Sequence, residues 1–288
     1  MRNILLLGVL AMALLGQAFP VRVLDDRGKE ILIPKEPERI VVLLPLYAQI
    51  LVDLGLAGKV VGLAASPDNP PELLGLPEVG PSFAPSLEAI VALAPDLVLG
   101  GWGEVRERLE ALGIVVLTAG GPEGWIRGVL DVLEAIRTVG RAVGAEEKAE
   151  RMIGKICEEI VRVEAQILGR PKISVAFLYL PAPDSPAYAA GAGTPEHELI
   201  LRAGGKNVFS DLSGYPLVSL EALIMRDPQV ILTDPAQVDH FFASRVLSGI
   251  KAVQTGRVYG FPAAEVTSTR LPQALLRLAA LLHPEVFP

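Results

Sequence analysis

The sequence predicts an α/β protein of two lobes with parallel-rich sheets, joined by a long rigid α-helix, with a cleft between the lobes. Three observations support this class. Residues 86–99 and 219–232 repeat one pattern, with six of fourteen positions identical. Elsewhere, apolar strand-like runs alternate with short helical runs, which is typical of parallel sheets covered by helices. Residues 123–169 contain neither a strand-like run nor a proline, which predicts the connecting helices.

Each copy of the repeat predicts a short helix followed by a buried strand. Each begins with a serine, Ser86 or Ser219, suited to capping a helix, and a proline then stops the helix before an apolar run. The copies are too far apart for a solenoid and indicate two similar lobes. We therefore expect a ligand to bind between them. Glu88 and Glu221 occupy matching positions in the two copies.

Residues 1–18 have the features of a cleaved secretory signal peptide: a basic start at Arg2, an apolar run, and a small-residue ending at Ala18. The apolar run is shorter than the ~20 residues that span a bilayer. The only cysteine, Cys157, lies far from the cleavage site. The sequence therefore predicts a secreted, periplasmic protein that is not a lipoprotein.

The charge of the chain limits its partners. The formal net charge is −7, and no stretch has the basic character that nucleic-acid binding requires. An acidic surface is instead suited to a basic docking site. We expect no nucleic-acid partner.

The first lobe is predicted over residues 19–123. Strands at Val21–Asp25 and Glu30–Pro34 flank a turn at residues 26–28, which predicts a hairpin. The further strands and helices of this lobe are predicted at 39–45, 47–56, 60–65, 87–93, 96–100, 104–112 and 114–119.

The connecting segment is predicted over residues 124–169. A helix over 125–143 is interrupted at Gly144, and a second helix, the long backbone helix, is predicted over 145–168. At 1.5 Å per residue this second helix is roughly 36 Å long. A helical joint predicts small hinge movements between the lobes.

The second lobe is predicted over residues 170–288. Its strands and helices are predicted at 172–180, 188–190, 195–203, the second repeat, 244–249, 257–261 and 271–282.

The order of these segments and their short sequence motifs resemble those of a known family. It is the helical-backbone class (class III) of periplasmic solute-binding proteins, which serve ABC importers of vitamin B12, haem and ferric siderophores. The resemblance rests on ordered motifs along the whole mature chain, including Pro37-Glu-Arg-Ile-Val, Leu76-Pro-Glu-Val-Gly, Tyr188-Ala-Ala-Gly, Ala203-Gly-Gly-Lys-Asn-Val-Phe, Tyr215-Pro and both repeats. It implies two Rossmann-like lobes and a monomeric carrier without a cofactor, whose cargo is a metal chelate.

The resemblance also implies a role for the matched acids. In the family, one glutamate on each lobe pairs with arginines of an ABC permease dimer, and Glu88 and Glu221 stand at these positions. The alternative is that each is simply a first-turn acid favoured by the helix dipole, worth about 0.3–1 kcal/mol. That alternative accounts for either residue alone and less well for the matched pair.

In this family the ligand is held by loops at the carboxyl ends of strands, as in open α/β sheets generally. With aromatic residues only 5% of the chain, several fall in these loops, where flat chelators bind well against rings. The candidate ligand residues are Tyr47, Phe83, Trp102, Tyr188, Tyr215, Glu265 and Arg270. Tyr47 is equally suited to packing against its own helix. Glu265 and Arg270 fit a surface ion pair as well as a ligand contact.

The sequence leaves the cargo open between a corrinoid, haem and a ferric siderophore. Haem binders of the family often use a tyrosine or histidine as an axial ligand, and Tyr47, Tyr188 or Tyr215 would have to serve here. Few basic residues fall in the loops, which favours a less charged ligand such as a corrinoid.

Two other functional classes fit the sequence less well. Zinc or manganese solute-binding proteins share this architecture but need about three histidines and a carboxylate around one ion. The three histidines here are scattered, so no metal site is expected. An enzyme is the second alternative, but the sequence has no phosphate loop and no nucleophile elbow, so no catalytic residue is expected.

Overall fold

The computed structural model describes residues 19–287. The predicted signal peptide, residues 1–18, lies outside the described residues. Between residues 19 and 287, no helix combines the length and the apolar character that a membrane span needs. The described chain forms two compact units. The first contains the chain up to Ala119 and Glu134–Met152, and the second contains Gly120–Leu133 and the chain from Ile153 onward.

The first unit begins with the predicted hairpin. Strands β1 (Val21–Leu24) and β2 (Glu30–Ile33) pair antiparallel, and their buried residues alternate with exposed ones. The alternation buries one face of the hairpin and leaves the other in solvent.

A five-stranded parallel sheet forms the centre of the first unit, in the order β5-β4-β3-β6-β7. Its strands are β3 (Ile40–Val42), β4 (Val60–Ala65), β5 (Glu78–Pro81), β6 (Leu97–Leu99) and β7 (Val116–Leu117). Its helices are α1 (Pro45–Asp53), α2 (Leu87–Ala92) and α3 (Gly103–Ala111). The central strands β3 and β6 are buried throughout, as expected for strands covered on both faces. The sequence did not predict β5, a short edge strand that ends in a proline.

Two helices connect the units. Helix α4 (Val129–Ala142) begins later than predicted because a carboxylate caps it: the backbone amide of Val129 donates to Glu198 Oε2 at 2.9 Å. Helix α5 (Glu146–Ile167) fills nearly the whole predicted span of 145–168. Each of the two helices contributes residues to both units. The predicted boundaries at 19–123, 124–169 and 170–288 stay a prediction.

The second unit has a mixed, mostly parallel sheet in the order β11-β9-β8-β12-β13, with β10 also paired to β8. Its strands are β8 (Ile173–Tyr179), β9 (Ala187–Ala189), β10 (Gly205–Asn207), β11 (Leu217–Val218), β12 (Val230–Thr233) and β13 (Val258–Gly260). Its helices are α6 (Pro195–Arg202), α7 (Leu220–Arg226), α8 (Val238–Ala243), α9 (Lys251–Gln254), α10 (Ala263–Val266) and α11 (Leu271–Leu282). Of the helix predicted over 244–249, only a short 3-10 helix at Leu247–Gly249 forms, because α8 ends before Ser244, whose hydroxyl bonds to Asp184.

The two copies of the repeat adopt the same local structure. Ser86 Oγ and Ser219 Oγ each accept a hydrogen bond from the backbone amide three residues later, at 3.2 Å in both copies. A non-glycine residue with positive φ follows each helix, Ala94 at 45° and Asp227 at 38°. Each strand that follows, β6 or β12, pairs in parallel with the first parallel strand of its unit, β3 or β8. The repeat therefore builds one equivalent corner in each unit.

The predicted class, α/β with parallel-rich sheets, is confirmed. The core of the first unit lies around Val41, Val98 and Leu109, and that of the second around Ala176, Ile231 and Phe241. In both, apolar strand residues meet helix residues, so burial of this surface orients the strand ends that carry the candidate site.

Candidate functional site

The two matched acids occupy equivalent exposed positions in the first turn of their helices. Glu88 lies in α2 and Glu221 in α7, and both are exposed. A hydrogen bond to its own backbone amide lowers the pKa of Glu88, and the Ser86 hydroxyl lowers it further. The pKa of Glu221 is lowered in the same way, by its own amide and by Ser219. A lowered pKa keeps both groups charged as the pH falls through the ordinary range of a carboxyl.

An exposed apolar side chain lies one helical turn after each of these acids. Val91 is 41% exposed and Ile224 is 40% exposed. Residues three apart share one face of a helix, so each acid has an apolar neighbour on the same surface. Glu88 with Val91 and Glu221 with Ile224 are called the docking pairs below.

Trp102 lies where β6 ends, after a turn that only glycine accommodates. Gly100 has φ +91° and Gly101 has φ +122°. A Cβ on Gly100 would also sit 3.2 Å from Leu43 Cβ, tighter than ordinary contact. The turn directs the chain from the sheet into α3 and leaves Trp102 at the carboxyl end of the strand, partly buried.

Phe83 stacks on Trp102, so the first unit presents a pair of rings. The ring centroids are 5.4 Å apart and the planes differ by 24°. Phe83 is 70% exposed, an unusual amount for so large an apolar side chain. The structure therefore brings together two of the residues that the sequence nominated separately.

A buried ion pair supports the turn before Trp102. Arg106, in α3, donates from Nη2 to Asp26 Oδ2 at 3.0 Å, and both side chains are almost wholly buried. Arg106 Nε also donates to the carbonyl of Gly101 at 2.7 Å. The Thr118 hydroxyl donates to the same carbonyl at 3.0 Å. The hairpin turn, α3 and β7 thus converge on the peptide that precedes Trp102.

Tyr47 lies in α1 with no exposed surface. Its hydroxyl donates to the carbonyl of Ala119 at 2.7 Å and accepts from the amide of Ala119 at 2.8 Å. Burial raises the pKa of Tyr47 above its ordinary value. The placement favours the packing role that the sequence left open for this residue.

In the second unit, two tyrosines share one buried carboxylate. Tyr179 ends β8, and its hydroxyl donates to Glu196 Oε1 at 2.8 Å. Tyr215 donates to Glu196 Oε2, also at 2.8 Å. The two rings meet edge to face, with centroids 6.2 Å apart. Neither Tyr179 nor Glu196 was nominated from the sequence.

Tyr188 joins this aromatic group through the sheet. It pairs directly with Tyr179 across β8 and β9, and with Leu217 across β9 and β11. Directly opposed residues in antiparallel strands place their side chains on the same face. Tyr188 is 46% exposed and Leu217 is 59% exposed, so part of this face is in contact with solvent.

Glu265 has an arginine partner on α11. Arg277 Nη2 lies 2.8 Å from Glu265 Oε2, and its guanidinium lies 4.2 Å from the ring centroid of Phe261. The ion pair therefore neutralises much of the charge of Arg277 beside the end of β13. Arg270 is exposed and lies immediately before α11.

Each of the three histidines has a different set of neighbouring residues. His197 Nδ1 lies 3.1 Å from the side-chain nitrogen Nδ2 of Asn207, and burial lowers the pKa of His197. His240 Nδ1 lies 2.8 Å from the carbonyl of Leu180, and His283 is buried after α11. From residue 19 to residue 287, no three histidine, cysteine or acidic side chains cluster closely enough to hold a metal ion.

The family model described as periplasmic binding protein matches residues 40–265. The chain belongs to the periplasmic binding protein family. This match covers both copies of the repeat and both aromatic groups, and it confirms the family that the ordered motifs indicated.

Three relatives illustrate the range of the family. An uncharacterized ABC transporter substrate-binding lipoprotein, YvrC of Bacillus subtilis, is 28% identical over 94% of this chain and 88% of its own length. A vitamin B12-binding protein of Salmonella typhimurium is 29% identical over 67% of this chain and 71% of its own. The apo structure of the periplasmic heme-binding protein RhuT from Roseiflexus is 27% identical, with a TM-score of 0.74 over 86% of this chain and 99% of that one.

These comparisons confirm the predicted role as the solute-binding component of an ABC importer in the group that handles metal chelates. A permease and a small-molecule ligand are its partners. One prediction is wrong. The relative YvrC is a lipoprotein, which contradicts the expectation of a periplasmic protein that is not a lipoprotein. The position of Cys157, inside α5, therefore carries no conclusion about anchoring.

Proposed function

We propose that this chain captures a flat metal macrocycle of low net charge, a corrinoid in preference to haem or a ferric siderophore. The observation that carries the proposal is the aromatic surface at the strand ends of each unit: Phe83 stacked on Trp102 in the first, and Tyr188 beside Tyr179 and Tyr215 in the second. Rings offer a large contact area at a low cost in side-chain entropy, which suits a planar ligand.

The charges near these strand ends support the choice of cargo. Arg106 is paired with Asp26, and Arg277 with Glu265. An arginine already paired with a carboxylate attracts an anionic chelate less strongly than an unpaired one. A vitamin B12-binding relative and a heme-binding structural neighbour are among the proteins that this chain resembles.

Calorimetric titration of the purified protein with cyanocobalamin, ferric haem and a ferric hydroxamate tests the proposal. We expect one-to-one binding of cyanocobalamin that is at least tenfold tighter than binding of the other two. A Trp102→Ala variant should weaken this binding by about 10- to 100-fold, because loss of an aromatic anchor costs roughly 1–3 kcal/mol. Tighter binding of the ferric hydroxamate than of cyanocobalamin would contradict the choice of cargo.

We further propose that the two docking pairs bind the permease, with each acid meeting a basic residue and each apolar neighbour meeting an apolar one. Both helices carry a serine cap, a first-turn glutamate whose pKa is lowered, and an exposed apolar residue one turn later. Two equivalent surfaces suit a partner that itself presents two equivalent sites, as a dimer does.

The carrier is proposed to act as a monomer and to release its cargo chemically unchanged. Size exclusion at several concentrations checks the first statement. Chromatography of the recovered ligand after incubation checks the second, and any altered product would indicate an enzyme.

A further inference from the structure

We infer that Glu196 is a positioning residue that holds Tyr179 and Tyr215 as neutral hydrogen-bond donors. These tyrosines then offer ring faces to the cargo and do not ligate its metal through oxygen. The inference deepens the proposed function and rests on it, because it concerns how the same strand ends select a chelate.

Glu196 is built into a closed site. It is 2% exposed, and each of its carboxylate oxygens accepts one phenol hydroxyl at 2.8 Å. It also lies in the first turn of α6, behind the cap residue Thr194, where the positive end of the helix favours an anion. Two hydroxyl donors and a helix terminus together compensate a buried carboxylate.

This arrangement disfavours the phenolate form of both tyrosines. Burial raises the pKa of Tyr179 and of Tyr215, and the charge of Glu196 raises both further. A phenolate would lie at hydrogen-bond distance from a carboxylate with no proton between them, and the two negative charges would repel each other. Binding ferric iron through oxygen requires that phenolate.

The geometry therefore reduces the number of tyrosines that could serve as an axial ligand to the metal of the cargo. Of the three tyrosines that the sequence offered, Tyr47 is buried with its hydroxyl bonded to Ala119, and Tyr215 is held by Glu196. Tyr188, exposed on β9, is the third. A chelate whose metal already has both axial positions filled, such as cyanocobalamin, needs no oxygen ligand from Tyr179 or Tyr215.

Alkaline titration of the ligand-free full chain tests the role of Glu196 directly. The phenolates are followed by ultraviolet difference absorbance in the wild type and in Glu196→Gln, with circular dichroism reporting the folded state. Removing the carboxylate charge should bring two phenols into titration at lower pH. Tyr259→Phe, which removes a tyrosine from β13 in the same unit, should delete one phenol without moving the others. Identical titration curves for the wild type and Glu196→Gln would overturn the inference.

Ligand-binding measurements provide a second test of the inference. The Tyr215→Phe variant keeps this test informative if Glu196→Gln folds poorly. Cyanocobalamin affinity should fall about threefold in Tyr215→Phe, which keeps the ring but frees it from Glu196, and about tenfold in Glu196→Ala, which frees both rings. The visible spectrum with ferric haem should be the same in the wild type and in Tyr215→Phe.

A phenolate-to-iron absorption band that is present in the wild type and lost in Tyr215→Phe would overturn the inference. Binding of none of the chelates by the wild type would instead defeat the proposed function. The phenol titration would still decide whether Glu196 holds the two tyrosines.

Discussion

Single residues determine where the rings of the candidate site are held, and the sequence revealed this only in part. Trp102 was nominated because it follows a strand, but its supports, Arg106 and Asp26, read as ordinary polar residues of a helix and a turn. Tyr179 was missed because it ends an apolar strand run, and Glu196 because a glutamate after Thr-Pro is typical of a helix first turn. Long-range hydrogen bonds of this kind leave no local signal in a sequence.

The buried pair Arg106–Asp26 yields a prediction at this scale. Arg106→Ala should lower the free energy of unfolding by about 3–5 kcal/mol, because it leaves a buried carboxylate without its partner. Denaturant unfolding followed by circular dichroism measures this. Arg108→Ala, on the same helix, removes an exposed ion pair with Glu104 and should cost about 0.5 kcal/mol or less. Equal losses in the two variants would show that the buried pair has no special role.

Helices and strands are predicted best where the sequence contains a clear capping residue and a proline that ends the helix. Helix α2 and strand β6 lie within one residue of their predicted bounds, and α7 and β12 follow in the predicted order in the second repeat, because Ser86 and Ser219 cap each helix and a proline ends it. Strand β5 was missed, since its short sequence contains glycine and proline. Helix α4 begins late because its capping carboxylate, Glu198, comes from a distant element.

The docking pairs yield a prediction about helices α2 and α7. Val91→Ser with Ile224→Ser should weaken binding to the permease by about tenfold, since each loses roughly 0.7 kcal/mol of apolar burial. Surface plasmon resonance on the detergent-solubilised permease measures the affinity. Leu112→Ser with Val161→Ser alters two exposed apolar residues elsewhere, one in each unit, and should leave the affinity unchanged. A larger effect from the second pair would remove the apolar contact from the proposal.

At the scale of the whole molecule, the internal repeat is the feature from which the function follows. Two units with equivalent corners each carry one exposed first-turn acid, the proposed permease contact, and each holds aromatic rings at its strand ends. The sequence was sufficient for the class and the family because the repeat and the ordered motifs span the chain. The cargo could not be predicted equally well, because it depends on how a few side chains are paired.

Uptake of radiolabelled cyanocobalamin by vesicles containing the permease tests the role of the two acids most directly. The wild type is compared with Glu88→Lys/Glu221→Lys and with Glu104→Lys/Glu146→Lys, which reverses two other exposed first-turn acids and changes the net charge equally. We expect uptake to fall more than tenfold in the first double variant, with cyanocobalamin affinity unchanged, and to persist in the second. Normal uptake with Glu88→Lys/Glu221→Lys, or equal loss in both double variants, would contradict docking through the repeated acids.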